Sequence, residues 1–162
     1  MQTVRTVGTG SDLRERVESM PDRKRILVAD DDRFVRESLR LILTSAGYEV
    51  AFAENGEAAV KMAADQQPDL VLTDGLLPKL HGFEVCKRIK LFENPPKVVI
   101  FTGVYTKPTY KYQLMTEYKA DAVLFKPIDV SKLLSCINQL LTIPFEQPAA
   151  ACVAGKKQAT FY

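Results

Sequence analysis

Three aspartates in a row, a fourth on its own, one threonine and one lysine stand at the ends of apolar runs, and their types alone set out a chemistry. Ile26-Leu27-Val28-Ala29 runs into Asp30-Asp31-Asp32, and Leu70-Val71-Leu72-Thr73 into Asp74-Gly75. Val98-Val99-Ile100-Phe101 runs into Thr102-Gly103, and Ala122-Val123-Leu124-Phe125 into Lys126-Pro127. Carboxylates drawn together repel one another, and burial raises their proton affinity unless a cation shares the site. An oxygen-only donor set, with no histidine or cysteine at hand, suits a hard ion that keeps several waters, so Mg²⁺ is the expected occupant. A hydroxyl and an ammonium added to that ion are the groups that stabilise charge on the equatorial oxygens of a phosphoryl group. The acceptor is then a carboxylate. Asp74 is the best placed, standing alone between the acidic pair Asp30/Asp31 and the pair Thr102/Lys126.

For these residues to meet, the four runs must be parallel strands of one sheet, each presenting its last residue at the same edge. Each run is short, partly β-branched and bounded by turn residues, as a buried strand is. Between the runs the period changes. Val35, Leu39, Ile42, Leu43 and Ala46 mark one face of a helix that Asp32 caps and that ends before Gly47. A strand over 49–53 and a turn at Asn55-Gly56 follow, then a helix over 57–66 with Ala59, Val60 and Ala63 inward, stopped by Pro68. A third helix over 82–92 carries Phe83, Val85, Cys86 and Ile89, and Asn94-Pro95-Pro96 breaks the chain after it. Pro108 opens a helix to Lys119, and a last one, capped by Asp129, has Leu133, Leu134, Ile137, Leu140 and Leu141 in register.

Five alternations of strand and helix predict a doubly wound α/β fold, flavodoxin-like, with a five-stranded parallel sheet in the order 2-1-3-4-5 and helices on both faces. In that order strands 1 and 3 flank the switch point. Asp30, Asp31 and Asp74 then share one crevice, with Thr102 and Lys126 beside it.

The 162 residues suffice for one domain, placed at 24–142, with an N-terminal extension over 1–23 and a tail over 143–162. In the extension, Leu13, Val17 and Met20 form a short apolar stripe; the extension is read as a loosely held arm, with docking on the domain or on a second copy in a homodimer as the alternatives. With 46% hydrophobic and 26% charged residues, no run near the roughly 18 apolar residues of a span and no signal-peptide core, a cytoplasmic protein without membrane contact is expected. Cys86, Cys136 and Cys152 are too few and too far apart for a disulfide framework or zinc. A net charge of +2, no basic stripe, a Lys156-Lys157 pair too short to be a patch and a tail too short for a DNA-binding helix pair lead to the expectation of no nucleic-acid partner.

The motifs taken in order resemble the receiver domain of two-component response regulators over about residues 24 to 142. They are the Ile26–Asp32 opening, Asp74 followed by Pro78 and Gly82, Thr102-Gly103, and Lys126-Pro127. The resemblance implies a switch rather than a classical enzyme, one that catalyses its own phosphorylation and dephosphorylation. It implies Asp30 and Asp31 as the acidic pair, and Asp31, Asp74 and the Leu76 carbonyl as direct Mg²⁺ ligands. Asp74 becomes the phospho-acceptor from a sensor histidine kinase or phosphotransfer protein, Thr102 the switch hydroxyl and Lys126 the phosphoryl-binding charge, with Lys126–Pro127 cis. Output then passes to a downstream protein target.

The pattern is not followed everywhere. Val123 stands where the family usually has an aromatic three residues before the lysine, and a valine lacks that ring's inward and outward rotamers. One of Tyr105, Tyr110, Tyr112 and Tyr118 is a substitute ring or a partner anchor, or all four are packing. Leu76 and Val104, two beyond the aspartate and the threonine, are apolar and cannot orient an attacking water, which predicts a long-lived phosphoryl group. His81 is read as an exposed loop residue, and Arg36 and Arg40 as the solvated face of the first helix. Two rivals stay open: a haloacid dehalogenase-like phosphohydrolase using Asp30 and Asp32, and a receiver-like docking module that is not phosphorylated.

Overall fold

The computed structural model describes residues 23–104 and 108–142. The expectations for the extension before residue 23, the tail 143–162, Tyr105, Cys152 and the side chain of Tyr110 lie outside the described residues. Five strands, β1 (Arg25–Ala29), β2 (Glu49–Ala53), β3 (Leu70–Asp74), β4 (Lys97–Thr102) and β5 (Ala122–Phe125), alternate with five helices. These are α1 (Arg33–Ser45), α2 (Gly56–Gln66), α3 (Gly82–Ile89), α4 (Pro108–Glu117) and α5 (Val130–Thr142). All strand pairs are parallel and the sheet order is β2-β1-β3-β4-β5, as the alternation predicts.

Both sheet faces are buried, so the strand residues divide by period two between two cores. Leu27, Ala29, Val71, Val98, Ile100 and Val123 pack with Ala59, Ala63, Val85 and Ile89 of α2 and α3. Their neighbours Ile26, Val28, Leu70, Leu72, Val99 and Phe101 pack with Leu39 and Leu43 of α1 and with Leu133, Ile137 and Leu140 of α5. β3, at the centre, is buried along its whole length.

The helix starts follow local chemistry. The Asp32 carboxylate accepts from the Phe34 amide at 2.8 Å and caps α1. Asn55, expected in a plain turn, caps α2 by accepting from the Ala58 amide at 3.0 Å. Two helices stop sooner than predicted. α3 ends at Ile89, not near Phe92: the Leu91 and Phe92 amides turn back only three residues, to the Arg88 and Ile89 carbonyls at 3.2 and 3.1 Å, in place of the helical ladder, and the Lys90 ammonium reaches the Asp121 carboxylate and the Pro96 carbonyl. α4 ends at Glu117, two residues before Lys119, which takes a left-handed φ of 56°, while Tyr118 folds back to within 5.7 Å of the Phe83 ring. Ala46, placed on the inner face of α1, is its exposed C-cap instead.

Candidate phosphoryl-transfer site

Register brings the chemistry to one edge. Ala29 lies beside Thr73, so Asp30 and Asp74 leave the sheet side by side. Asp74 pairs with Phe101 and Thr102 with Phe125, so Thr102 and then Lys126 follow at the same rim. Carboxylate oxygens of Asp30, Asp31 and Asp74 all lie within 4.8 Å of one another. Three hard oxygen donors this close, two of them in buried residues, form a set that could hold a divalent cation.

The cluster is held by a few contacts. Asp30 is fully buried; its Oδ1 accepts from the Asp32 amide at 2.8 Å and its Oδ2 from Lys126 Nζ at 3.4 Å. Asp74 is 8% exposed, its Oδ2 accepting from Lys126 Nζ at 3.1 Å and its Oδ1 from the Leu76 amide at 3.4 Å. One ammonium therefore bridges two carboxylates, and it also stands 4.6 Å from the centre of the Phe101 ring. Burial pushes the Asp30 carboxyl above its ordinary range, and the charge on Asp74 adds to this. The Asp32 amide and Lys126 oppose that rise without cancelling it. For Lys126, burial works toward the neutral amine, but the bond to Asp74 and the charge on Asp30 outweigh it, so the ammonium is held above its usual range.

Glycines make room at the rim. A Cβ on Gly82 would lie 1.7 Å from the Asp74 carbonyl oxygen, and one on Gly75 would lie 2.8 Å from Thr102 Oγ1. Gly82 donates its amide to the Gly75 carbonyl at 3.0 Å, which closes the loop after Asp74 into a tight cover over the end of β3. Thr102 is fully buried, and its hydroxyl accepts from the Val104 amide at 3.2 Å. The Lys126 amide donates to the Thr102 carbonyl at 3.0 Å, and the Lys126–Pro127 peptide is cis.

The predicted site residues thus stand around one crevice: Asp30, Asp31, Asp74 and Lys126 in contact or close to it, Thr102 across Gly75, and Leu76 two residues past Asp74. Leu76 and Val104 are partly exposed at the mouth. Val123 is buried in the core, Tyr112 is exposed on α4, and His81 is exposed at the start of α3.

Arg36 is a correction. It is not on the solvated face of α1, since its side chain is only 13% exposed. Its Nη1 donates to the carbonyls of Asp30 at 2.8 Å and Asp31 at 3.0 Å, and its Nη2 to Glu54 Oε1 at 2.7 Å. Helical side chains lean toward the N-terminus, so an arginine in the first turn has an acidic loop before it within reach, but the sequence pattern is the same whether it bends back or meets water. Arg40 behaves as expected in exposure, while its guanidinium covers the Phe52 ring at 4.4 Å.

Among the described residues no helix is long and apolar enough to cross a membrane. The family model of the response regulator receiver domain matches residues 26–138. The response regulator MprA of Mycobacterium sp. (strain KMS) is 37% identical over 126 residues, covering 76% of this chain and 54% of its own. MprA of Mycobacterium tuberculosis (strain ATCC 25177 / H37Ra) is 35% identical over 130 residues, covering 80% and 56%. Among solved structures, the chemotaxis response regulator CheY4 of Vibrio cholerae superposes with a TM-score of 0.68 at 27% identity, over 74% of this chain and 99% of that one. The CheY-like receiver domain protein of Methanospirillum hungatei JF-1 gives 0.67 at 30% identity, over 74% and 94%. The chain spans about half the length of the curated relatives it matches, so the shortness of the tail gives no support to the expectation of no nucleic-acid partner. Motif order, sheet topology and these matches agree that the chain belongs to the response regulator receiver domain family.

Proposed function

We propose that this domain, residues 24–142, is a phosphorylation-dependent signalling switch in which Asp74 accepts a phosphoryl group from a histidine kinase or phosphotransfer protein. The observation that carries the reading is the single Lys126 ammonium bridging Asp30 and Asp74 within a cluster of three carboxylates. Asp30, Asp31, Asp74 and the Leu76 carbonyl would hold Mg²⁺. When bound, that ion neutralises the carboxylates and the charge on the phosphoryl oxygens.

The chain's own groups supply the rest. A carboxylate oxygen of Asp74 attacks phosphorus; the bond from phosphorus to the donor's histidine nitrogen breaks as the bond to Asp74 forms, and the imidazole keeps the electron pair. Lys126 exchanges its Asp74 oxygen for a phosphoryl oxygen, and the raised proton affinity of its amine keeps it cationic for that role. The Thr102 hydroxyl, tied to the Val104 amide, turns toward the new charge and draws residues 103 and 104 with it, which biases the domain toward a second state. Output then passes through contacts with a protein target.

The hydrolase reading requires Asp32 as a free general acid two residues after a nucleophilic Asp30. Asp32 is instead spent on the cap of α1, and Asp30 is fully buried with both oxygens engaged. Incubation with acetyl phosphate and Mg²⁺, followed by intact mass, tests the proposal. Wild type is expected to gain one phosphoryl group and Asp74→Ala none; uptake by Asp74→Ala equal to wild type would refute it.

A further inference from the structure

The Asp31 carboxylate is the exposed member of the cluster, and among the described residues it takes no hydrogen bond or ion pair. With no side-chain partner among them, what the fold fixes of its direction is the Cα–Cβ bond, which the backbone sets. That backbone leaves β1 after the Asp30 amide has donated to the Ala53 carbonyl at 3.2 Å, and it enters α1 only at Arg33. Between these points two peptide carbonyls, those of Asp30 and Asp31, fall outside both sheet and helix ladders. Both accept from one nitrogen, Arg36 Nη1, at 2.8 and 3.0 Å. The other nitrogen of the fork is fixed by Glu54, which begins the loop after β2, at 2.7 Å. The guanidinium thus ties the acidic loop, the first turn of α1 and the end of β2 into one frame.

We infer that Arg36 is a positioning residue for the acidic pair: by clamping the Asp30 and Asp31 carbonyls to Glu54, it aims the Asp31 carboxylate at the crevice and so sets the affinity of the site for a divalent cation. This rests on the proposed cation site and adds to it a residue that touches neither cation nor phosphoryl group. A planar fork suits the role. It spans two carbonyls and a carboxylate in fixed directions, whereas a lysine ammonium on a flexible stem would choose among them.

The sign of the effect separates positioning from charge. Arg36 is a cation near the site, so as a mere source of field its removal would tighten cation binding. As a clamp, its removal loosens it. The test is titration of the metal-free protein with Mn²⁺, reading free Mn²⁺ by electron paramagnetic resonance, on wild type, Arg36→Ala, Arg36→Lys and Asp31→Ala. Both Arg36 variants are expected to bind about 10-fold more weakly or worse, the usual loss when a group orienting a ligand is removed. Arg36→Lys keeps the charge and the stem, so it remains informative if Arg36→Ala fails to fold. Phosphoryl uptake from acetyl phosphate by Arg36→Lys should recover its wild-type rate at saturating Mg²⁺, whereas a general structural lesion would lower the rate at saturation too. Wild type that binds Mn²⁺ while the Arg36 variants bind as tightly or more tightly overturns this inference and leaves the cation site standing. Wild type that binds no more Mn²⁺ than Asp31→Ala overturns the cation site, and this inference with it.

Discussion

Replacing Lys126 with methionine keeps most of the side chain's volume while deleting the charge that lies between Asp30 and Asp74 and over the Phe101 ring. At 3.1 and 3.4 Å, and with an effective dielectric of about 20, each lost attraction is roughly 5 kcal/mol before desolvation is counted. The Lys126 side chain is 30% exposed, so solvent screening and its own desolvation remove much of that. Removing one partner of a buried pair usually costs about 3–5 kcal/mol, and the exposure of the amine puts this loss near 3. The deficit carries a pH signature. Burial already raises the Asp30 carboxyl in the folded protein, and Lys126 is one of the groups opposing the rise, so the variant raises it further. A carboxyl whose folded pKa is raised binds protons more readily folded than unfolded. Its burden on stability is then absent below the unfolded value of about 3.9 and grows as pH rises through the folded value. Urea unfolding followed by far-ultraviolet circular dichroism in a chelating buffer should show Lys126→Met about 3 kcal/mol less stable at pH 7, with a smaller deficit near pH 4.5. Equal stability at pH 7, or a deficit that does not change with pH, would refute the bridging role of this ammonium.

Other expectations follow from single contacts. Gly82→Ala forces a Cβ into the Asp74 carbonyl and should cost about 3 kcal/mol or more in urea unfolding while slowing phosphoryl uptake; an unchanged midpoint would contradict the close approach. For Asp69, burial pushes the carboxyl up, but the Arg25 amide at 2.8 Å and the Lys24 ammonium at 2.9 Å outweigh it and hold it below the usual range. That stability is present above the unfolded value and lost as pH falls through the folded one, so Asp69→Asn should cost roughly 1 kcal/mol at pH 7 and less near pH 3, by the same unfolding assay. Leu76 and Val104 line the mouth with apolar groups, so the acyl phosphate should decay more slowly than a free one, and Leu76→Asn should shorten its lifetime in an intact-mass time course.

The gathering of the candidate site residues was legible because they are punctuated: Asp74, Thr102 and Lys126 each stand where an apolar run meets glycine or proline, and parallel pairing does the rest. The core faces were legible for a similar reason, since Leu39, Leu43, Leu133 and Ile137 keep helical spacing. Arg36 was not, because an arginine in the polar stripe of an amphipathic helix carries the same pattern whether it meets water or bends back over the preceding loop. The ends of α3 and α4 were not legible either: α3 gives way to three-residue turns at Leu91 and Phe92, and α4 stops before Lys119 takes a left-handed φ of 56°, neither of which the local pattern announces.

The central claim, that one carboxylate among four carries a transferable phosphoryl group, is tested most directly by locating it. Protein treated with acetyl phosphate and Mg²⁺ is reduced with borohydride, which converts an aspartyl phosphate to homoserine, and the modified peptide is sequenced by mass spectrometry. Homoserine at position 74 alone is the predicted result. Homoserine at position 30, or at no aspartate, would contradict it.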